Sequence, residues 1–231
     1  MKKLIIAIDG ESSSGKTSLA RELAKKIGFK HINTGLMYRA VTYFALKYGL
    51  IAKNKDNEFD DDQIITMVNK MKFEFRLIDN KSEIFINNQN IQDKINATQV
   101  SDYVSQISTI PSVRKRIVNI QRKIGLNKDI VMEGRDIGSV VFPNAELKFF
   151  ITADLNTRVE RRFIELNQKG IKINKIQVKK NLIKRDFLDK NRDHSPLIQS
   201  KDAIRIDNSN LSVNDQILII KSHIEKKNKK K

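Results

Sequence analysis

Leu4-Ile5-Ile6-Ala7-Ile8-Asp9-Gly10-Glu11-Ser12-Ser13-Ser14-Gly15-Lys16-Thr17-Ser18-Leu19 is the stretch whose reading decides the fold. Residues 4–8 are an apolar run too short for a helix and bounded by Asp9-Gly10, which predicts a buried parallel strand. Residues 10–17 match G-x-x-x-x-G-K-[ST] without mismatch. Beyond them Leu19, Ala20, Leu23, Ala24 and Ile27 recur at helical spacing, and Gly28 supplies a stop. Strand, glycine-rich turn and helix in that order are the context a phosphate cradle needs. Gly10 and Gly15 let the backbone curl so that successive N–H groups point inward at a helix N-terminus. The candidate ATP-binding residues are therefore Gly10, Glu11, Ser12, Ser13, Ser14, Gly15, Lys16, Thr17 and Ser18. Lys16 is the candidate catalytic cation on the β- and γ-phosphates, and the Thr17 hydroxyl the candidate ligand for Mg²⁺. The bland alternative, a Ser/Gly turn that binds nothing, does not explain this placement. The loop says nothing about the acceptor.

Composition narrows the class. A chain of 231 residues with 39% hydrophobic and 31% charged residues suits one well-buried globular core with room for a small insert. No apolar run approaches the roughly 18 residues of a membrane span. Met1-Lys2-Lys3 ahead of an apolar run looks like the head of a signal peptide, but the run stops at Asp9 after five residues. The absence of cysteine excludes disulfides, thiolate catalysis and Cys-ligated zinc, and is compatible with the cytoplasm. The formal charge of +17 invites a polynucleotide partner, yet +5 of it sits in residues 221–231 and the chain has no tryptophan and few aromatics for base stacking. A Lys-rich solvated surface that also attracts nucleotides is the better reading. No nucleic-acid and no membrane partner is expected.

Further strands are expected at 129–133, 147–152 and 203–206, with helices from 34 to about 49 and over 154–168, 174–189 and 213–224. Strands alternating with helices predict an α/β fold, a parallel sheet with helices on both faces. The texture changes between 61 and 96. Residues 72–77 and 82–86 alternate polar and apolar around an Asp79-Asn80-Lys81 turn, which is hairpin patterning. The expected organisation is a core domain of 1–60, 97–154 and 190–231, a β-rich insert at 61–96 and a helical lid at 155–189.

Three segments face the acceptor question. Asn33-Thr34-Gly35-Leu36-Met37-Tyr38-Arg39 opens the second helix, and Arg39 offers a planar fork suited to a phosphate. Met132-Glu133-Gly134-Arg135-Asp136-Ile137-Gly138 follows a buried strand, so Arg135 and Asp136 fall at the carboxyl edge of the sheet, where open α/β folds bind ligands. The basic run with Arg158, Arg161, Arg162, Lys184, Arg185, Asp186, Asp189 and Arg192 would ordinarily be a solvated face. In a phosphoryl-transfer enzyme such arginines close over the γ-phosphate.

Together these residues resemble the bacterial cytidylate kinase family of P-loop nucleoside monophosphate kinases, over nearly the whole chain from Ile6 to the last helix. The phosphate loop, Thr34-Gly35 with Tyr38-Arg39, Ser105 with Pro111-Ser112-Val113-Arg114, Gly134 through Pro143, Arg185-Asp186, Asp189, Arg192 and Ser195-Pro196-Leu197 carry the likeness. The resemblance implies the P-loop kinase fold, with the insert as a monophosphate-binding subdomain, and transfer of the γ-phosphoryl group of ATP to CMP or dCMP. It implies CMP contacts from Thr34, Arg39, Ser105, Arg114, Arg135, Asp136, Arg185, Asp189 and Arg192. Arg39 and Arg135 would grip the monophosphate, Ser105, Arg114 and Asp136 would read cytosine, and Arg185 and Asp189 would hold the ribose. Arg135, Arg158, Arg162 and Arg192 join Lys16 as catalytic cations, and the family implies a cytoplasmic monomer. A carboxylate such as Asp136 accepts from the cytosine amino group, while uracil would present it with an oxygen. The chain departs from the family pattern at Glu11, where proline is common, at Ser14 and Thr17-Ser18, and at Leu188 and Lys190, which replace arginines. Another small-molecule acceptor (UMP, AMP or shikimate) and a nucleic-acid-stimulated NTPase remain the competing readings.

Overall fold

The structure is a computed structural model that describes residues 3–51, 59–79 and 81–229. Asn80 of the expected hairpin turn, residues 52–58 of the expected core, and Met1, Lys2, Lys230 and Lys231 lie outside the described residues. Two compact units emerge, Met1–His31 with Asn127–Lys231, and Ile32–Leu126.

The first unit is built on parallel strands. β1 (Ile5–Gly10) pairs in parallel with β6 (Ile130–Gly134) on one side and β7 (Leu147–Thr152) on the other, and β7 pairs with β8 (Ile204–Asp207). With β2 (Lys30–Asn33) the five-stranded order is β2-β6-β1-β7-β8. Ile6 and Ile8 face α1 (Lys16–Ile27) and α8 (Val213–Lys229), where Leu19, Leu23, Ile217 and Ile220 complete a dry cluster with Phe149 and Ile151. Ile5, Ala7 and Asp9 alternate to the other face and are buried as well, as a strand covered on both sides requires. After β6 come a short π-helical turn (Ile137–Val141) and β7; α6 (Leu155–Gln168) and α7 (Lys175–Asn191) follow. Asp154 caps α6 through the Thr157 N–H, and Asn174 with Gln177 forms a capping box on α7.

The second unit contains α2 (Thr34–Lys47), α3 (Asp61–Lys70), β3 (Phe73–Ile78), β4 (Lys81–Ile86), β5 (Gln89–Asn90), α4 (Thr98–Ile107) and α5 (Pro111–Ile124). β3 and β4 are antiparallel, with Phe73 opposite Ile86 and Phe75 opposite Ile84. β5 extends the sheet through Asn87 and Asn88, both at positive φ as a tight primed hairpin demands. Met37, Val41, Ile64, Val68, Ile84, Ile86, Ile107 and Ile117 share one core. The sequence reading found the hairpin but not α3, α4, α5 or β2. Among the described residues no helix is long and apolar enough to cross a membrane.

Candidate functional site

Phosphate-loop geometry begins at Gly10. Its φ is +156°, and a Cβ there would sit 2.2 Å from the Ile151 carbonyl oxygen, so only glycine lets β1 leave the sheet beside β7. Ser13 and Gly15 take positive φ, and α1 starts at Lys16. Lys16 is buried, and Nζ donates to the Glu11 carbonyl oxygen at 2.8 Å. Burial, aided by the nearby Arg135 cation, pushes its ammonium down to about 7 against the pull of Glu133 and Asp189. An anion arriving in the loop supplies the missing counter-charge. Thr17 Oγ1 donates to Glu133 Oε2 at 2.8 Å, so the hydroxyl is oriented by a carboxylate from the end of β6. Ser18 lies exposed on the first turn of α1, and Ser14 is fully buried.

The strand β6 delivers the next residues. Arg135 donates from Nη2 to Ser12 Oγ at 2.9 Å and from Nε to Asp189 Oδ2 at 2.6 Å. Arg192 reaches Asp136 Oδ1 at 3.8 Å and Asp189 Oδ1 at 3.6 Å. Burial raises the Asp189 carboxyl, but Arg135 and Arg192 outweigh it and hold the group below its ordinary value. Arg185 is pushed down to about 10 by burial and by Arg135, and its Nε has no hydrogen-bond partner among the described residues. Asp9, at the end of β1, accepts from the N–H groups of Ile137 at 2.8 Å and Gly138 at 2.7 Å, pinning the turn that follows Asp136. Burial lifts its carboxyl to about 7 despite those two bonds.

From α6 and α7 further groups press on the loop. Arg158 is buried, bonds Asp186 through Nη1, donates to the Ser12 carbonyl oxygen at 3.3 Å and lies 3.5 Å from Glu11 Oε2. Asp186 Oδ1 in turn accepts from the Ser12 N–H at 3.2 Å, so a carboxylate occupies one of the cradle's anion-binding donors. Lys190 Nζ sits 2.6 Å from Glu11 Oε1. Two of the departures from the family pattern thus meet each other. Arg162 pairs with Glu165 on its own helix at 2.7 Å.

In the second unit Thr34 is buried at the first turn of α2. Arg39 donates to the Ile95 carbonyl oxygen at 2.8 Å and to Ser101 Oγ at 3.0 Å. Ser105 lies one turn beyond Ser101 on α4 and is buried. Arg114 is buried too, donates to the Ser108 carbonyl oxygen at 2.9 Å and stands 5.5 Å from the Tyr38 ring centre. Arg39, Ser105 and Arg114 therefore gather around α4.

Two residues escaped the sequence reading. Buried Asn208 donates from Nδ2 to the Ser14 carbonyl oxygen at 2.7 Å and to Gln216 Oε1 at 3.0 Å, while Arg161 Nη1 bonds its Oδ1 at 2.9 Å. It ties the end of β8 to the phosphate loop. His31 Nε2 stands 3.0 Å from Glu133 Oε1, beside the Thr17 hydroxyl's partner oxygen. No motif marks either residue. For Asn208 the one sequence signal is a polar residue just past a parallel strand.

The family model described as "Cytidylate kinase" matches residues 6–226. The cytidylate kinase of Flavobacterium johnsoniae is 44% identical over 222 residues, covering 95% of this chain and 95% of that one. That of Parabacteroides distasonis is 42% identical over 218 residues, covering 94% of each. Among solved structures, an uncharacterized protein from Eubacterium ventriosum aligns with TM-score 0.52 and 17% identity over 97% of this chain and 99% of its own, a likeness of fold alone. Sequence agreement of that depth from end to end admits one conclusion: the chain belongs to the cytidylate kinase family.

Proposed function

We propose that the protein transfers the γ-phosphoryl group of ATP to CMP, and to dCMP, releasing ADP and the corresponding diphosphate. The observation that carries this reading is the 2.9 Å bond from Arg135 to Ser12 Oγ, which joins the most family-specific segment of the chain to the phosphate loop. Arg135 stands where it can hold an acceptor phosphate near the γ-phosphate. Arg158 and Lys16 supply further positive charge from the loop's other sides, and Arg162 joins them when the segment 155–189 closes as a lid. Asp136, Arg185, Asp189 and Arg192 on the first unit, and Thr34, Arg39, Ser105 and Arg114 on the second, are the acceptor-binding groups.

The residues present fit Mg²⁺. The Thr17 hydroxyl and the Glu133 carboxylate offer oxygen donors, the type a hard divalent cation takes, and their 2.8 Å bond turns the hydroxyl's lone pairs away from Glu133. Thr17 would ligate the ion, with Glu133 behind it. Held there, the ion would supply positive charge to offset that of the transferring phosphoryl group. ATP first displaces Asp186 from the Ser12 N–H and restores the Lys16 ammonium. A phosphate oxygen of CMP, already anionic, then attacks the γ-phosphorus in line as the bond to the β-bridging oxygen breaks. No strong general base is needed, so catalysis is positioning and charge stabilisation. Exclusion of water by the lid prevents hydrolysis. We place the protein in the cytoplasm as a monomer.

A coupled assay of ADP release with CMP, dCMP, UMP, AMP and shikimate, and with single-stranded polynucleotide, tests this. CMP and dCMP should exceed UMP in kcat/KM by at least about 100-fold, because uracil would set a carbonyl oxygen against the buried Asp136 carboxylate in place of a donor. Preference for AMP, UMP or shikimate, or ATP hydrolysis stimulated by polynucleotide alone, would overturn it.

A further inference from the structure

β2 lies beside β6 in the sheet, and its His31 reaches the carboxylate at the end of β6. His31 and Glu133 side chains are almost wholly out of solvent, at 9% and 2% exposure. A carboxylate only accepts, so the hydrogen in the 3.0 Å contact to Glu133 Oε1 belongs to His31 Nε2. The other ring nitrogen, Nδ1, is buried and has no hydrogen-bond partner among the described residues. An imidazole used only to fill space would be expected to satisfy Nδ1 as well. This ring instead spends its one bond on Glu133, whose other oxygen receives the Thr17 hydroxyl at 2.8 Å. The three side chains form a line from the sheet edge to the first turn of α1.

From this geometry we propose that His31 is a positioning residue of the donor site. By holding Oε1 of Glu133 it fixes Oε2 on the Thr17 hydroxyl, and so sets the direction in which that hydroxyl presents its lone pairs to the Mg²⁺ that accompanies the nucleotide. The inference rests on the Mg·ATP reading of the phosphate loop but not on the identity of the acceptor. A carboxylate released from its outer partner gains rotamer freedom, and the hydroxyl it orients loses direction. The effect falls on the metal-dependent part of nucleotide affinity and leaves the metal-free part, which the loop N–H groups and Lys16 provide, unchanged.

The test uses ADP alone, by isothermal titration calorimetry in magnesium and in EDTA. His31→Phe keeps the ring and removes the donor; His31→Gln returns an N–H at the position of Nε2. Loss of an outer-sphere partner typically weakens metal affinity by about tenfold or more. H31F should therefore lose about tenfold in Mg·ADP affinity, stay within about twofold in EDTA, and be largely rescued in H31Q. Equal loss with and without metal, no loss, or a glutamine variant as impaired as the phenylalanine one would overturn the proposal. A second measurement needs no folded variant of the buried ring. In protein labelled with ¹⁵N-histidine, which has three histidines, the His31 Nε2–H resonance should move when Mg²⁺ is added to the ADP complex, and an unmoved resonance would count against the role. CMP is absent throughout, so failure here is separable from failure of the acceptor assignment.

Discussion

Asp9 and Lys16 occupy opposite ends of one buried electrostatic problem. Asp9 sits at about 7 in the folded chain against 3.8 for the ordinary carboxyl, chiefly because burial disfavours its charge. The folded state thus holds a proton that the unfolded state gives up, so this group's stabilisation is complete below pH 4 and lost as pH rises through 7. A displacement of that size corresponds to roughly 4 kcal/mol. Lys16, lowered from 10.5 to about 7, runs the other way: the folded state releases its proton first, and stability recovers as pH rises from 7 toward 10.5. Between them they place a stability minimum near neutrality in the nucleotide-free protein. Asp9→Asn removes the acid limb. In urea titrations the stability advantage of wild type over D9N should be largest near pH 4 and shrink toward pH 7; a constant difference would mean that Asp9 does not titrate there. Lys16→Ala should cut kcat by at least about 100-fold, as loss of a group that stabilises transition-state charge does, while CMP binding measured by calorimetry changes little. Both residues were visible in the sequence, one as motif and one as the end of a strand. Only packing reveals that they share a low-dielectric pocket.

Helix α7 shows what periodicity can and cannot deliver. Its start at Asn174 was legible, and the structure shows that residue as the N-cap of a capping box with Gln177. Its contacts with the phosphate loop, Asp186 on the Ser12 N–H and Lys190 on Glu11, follow from no local pattern. α3 and β2 went unread for a related reason. α3 passes into β3 through Met71 in extended conformation without a glycine or proline stop, so a hairpin-like texture spreads over the whole segment. β2 is four residues long and half-buried, too short to show a period. The α7 contacts make a prediction for the element. Because Asp186 competes with phosphate for a cradle donor and adds negative charge beside it, Asp186→Asn should tighten ATP binding about fivefold, close to 1 kcal/mol. Calorimetry with a non-hydrolysable ATP analogue decides it: unchanged or weaker affinity would show that Asp186 helps the loop more as scaffold than it hinders as rival. The Glu11–Lys190 pair lies on a half-exposed lysine, so its coupling in a double-mutant cycle should stay under about 1 kcal/mol and fade with salt.

At the scale of the whole chain, each of the two compact units carries its own set of candidate ligand-binding groups. The first unit holds the phosphate loop, the Thr17–Glu133 pair and the arginines tied to it, chemistry of the kind that suits a triphosphate, together with Asp136, Asp189 and Arg192. The second holds Arg39, Ser105 and Arg114 around α4, planar and directional donors of the kind that read a base or a monophosphate. The motif strings name the candidates in both sets, because a handful of contiguous residues suffices for that, whereas Asn208 and His31 depend on which strand lies next to which. If the second unit's set serves the acceptor alone, damage to it should leave binding of the nucleotide donor untouched. Arg114→Ala and Arg39→Ala should each lower kcat/KM for CMP by at least about 30-fold, the cost of losing a charge-assisted bond. Affinity for Mg·ADP should remain within about twofold of wild type. Steady-state kinetics with varied CMP, run beside calorimetry with ADP, reads both quantities on the same preparations. Comparable loss of both ligands would mean that the second unit supports the donor site as well, and that the net charge of +17, not directional contacts at α4, draws the acceptor in.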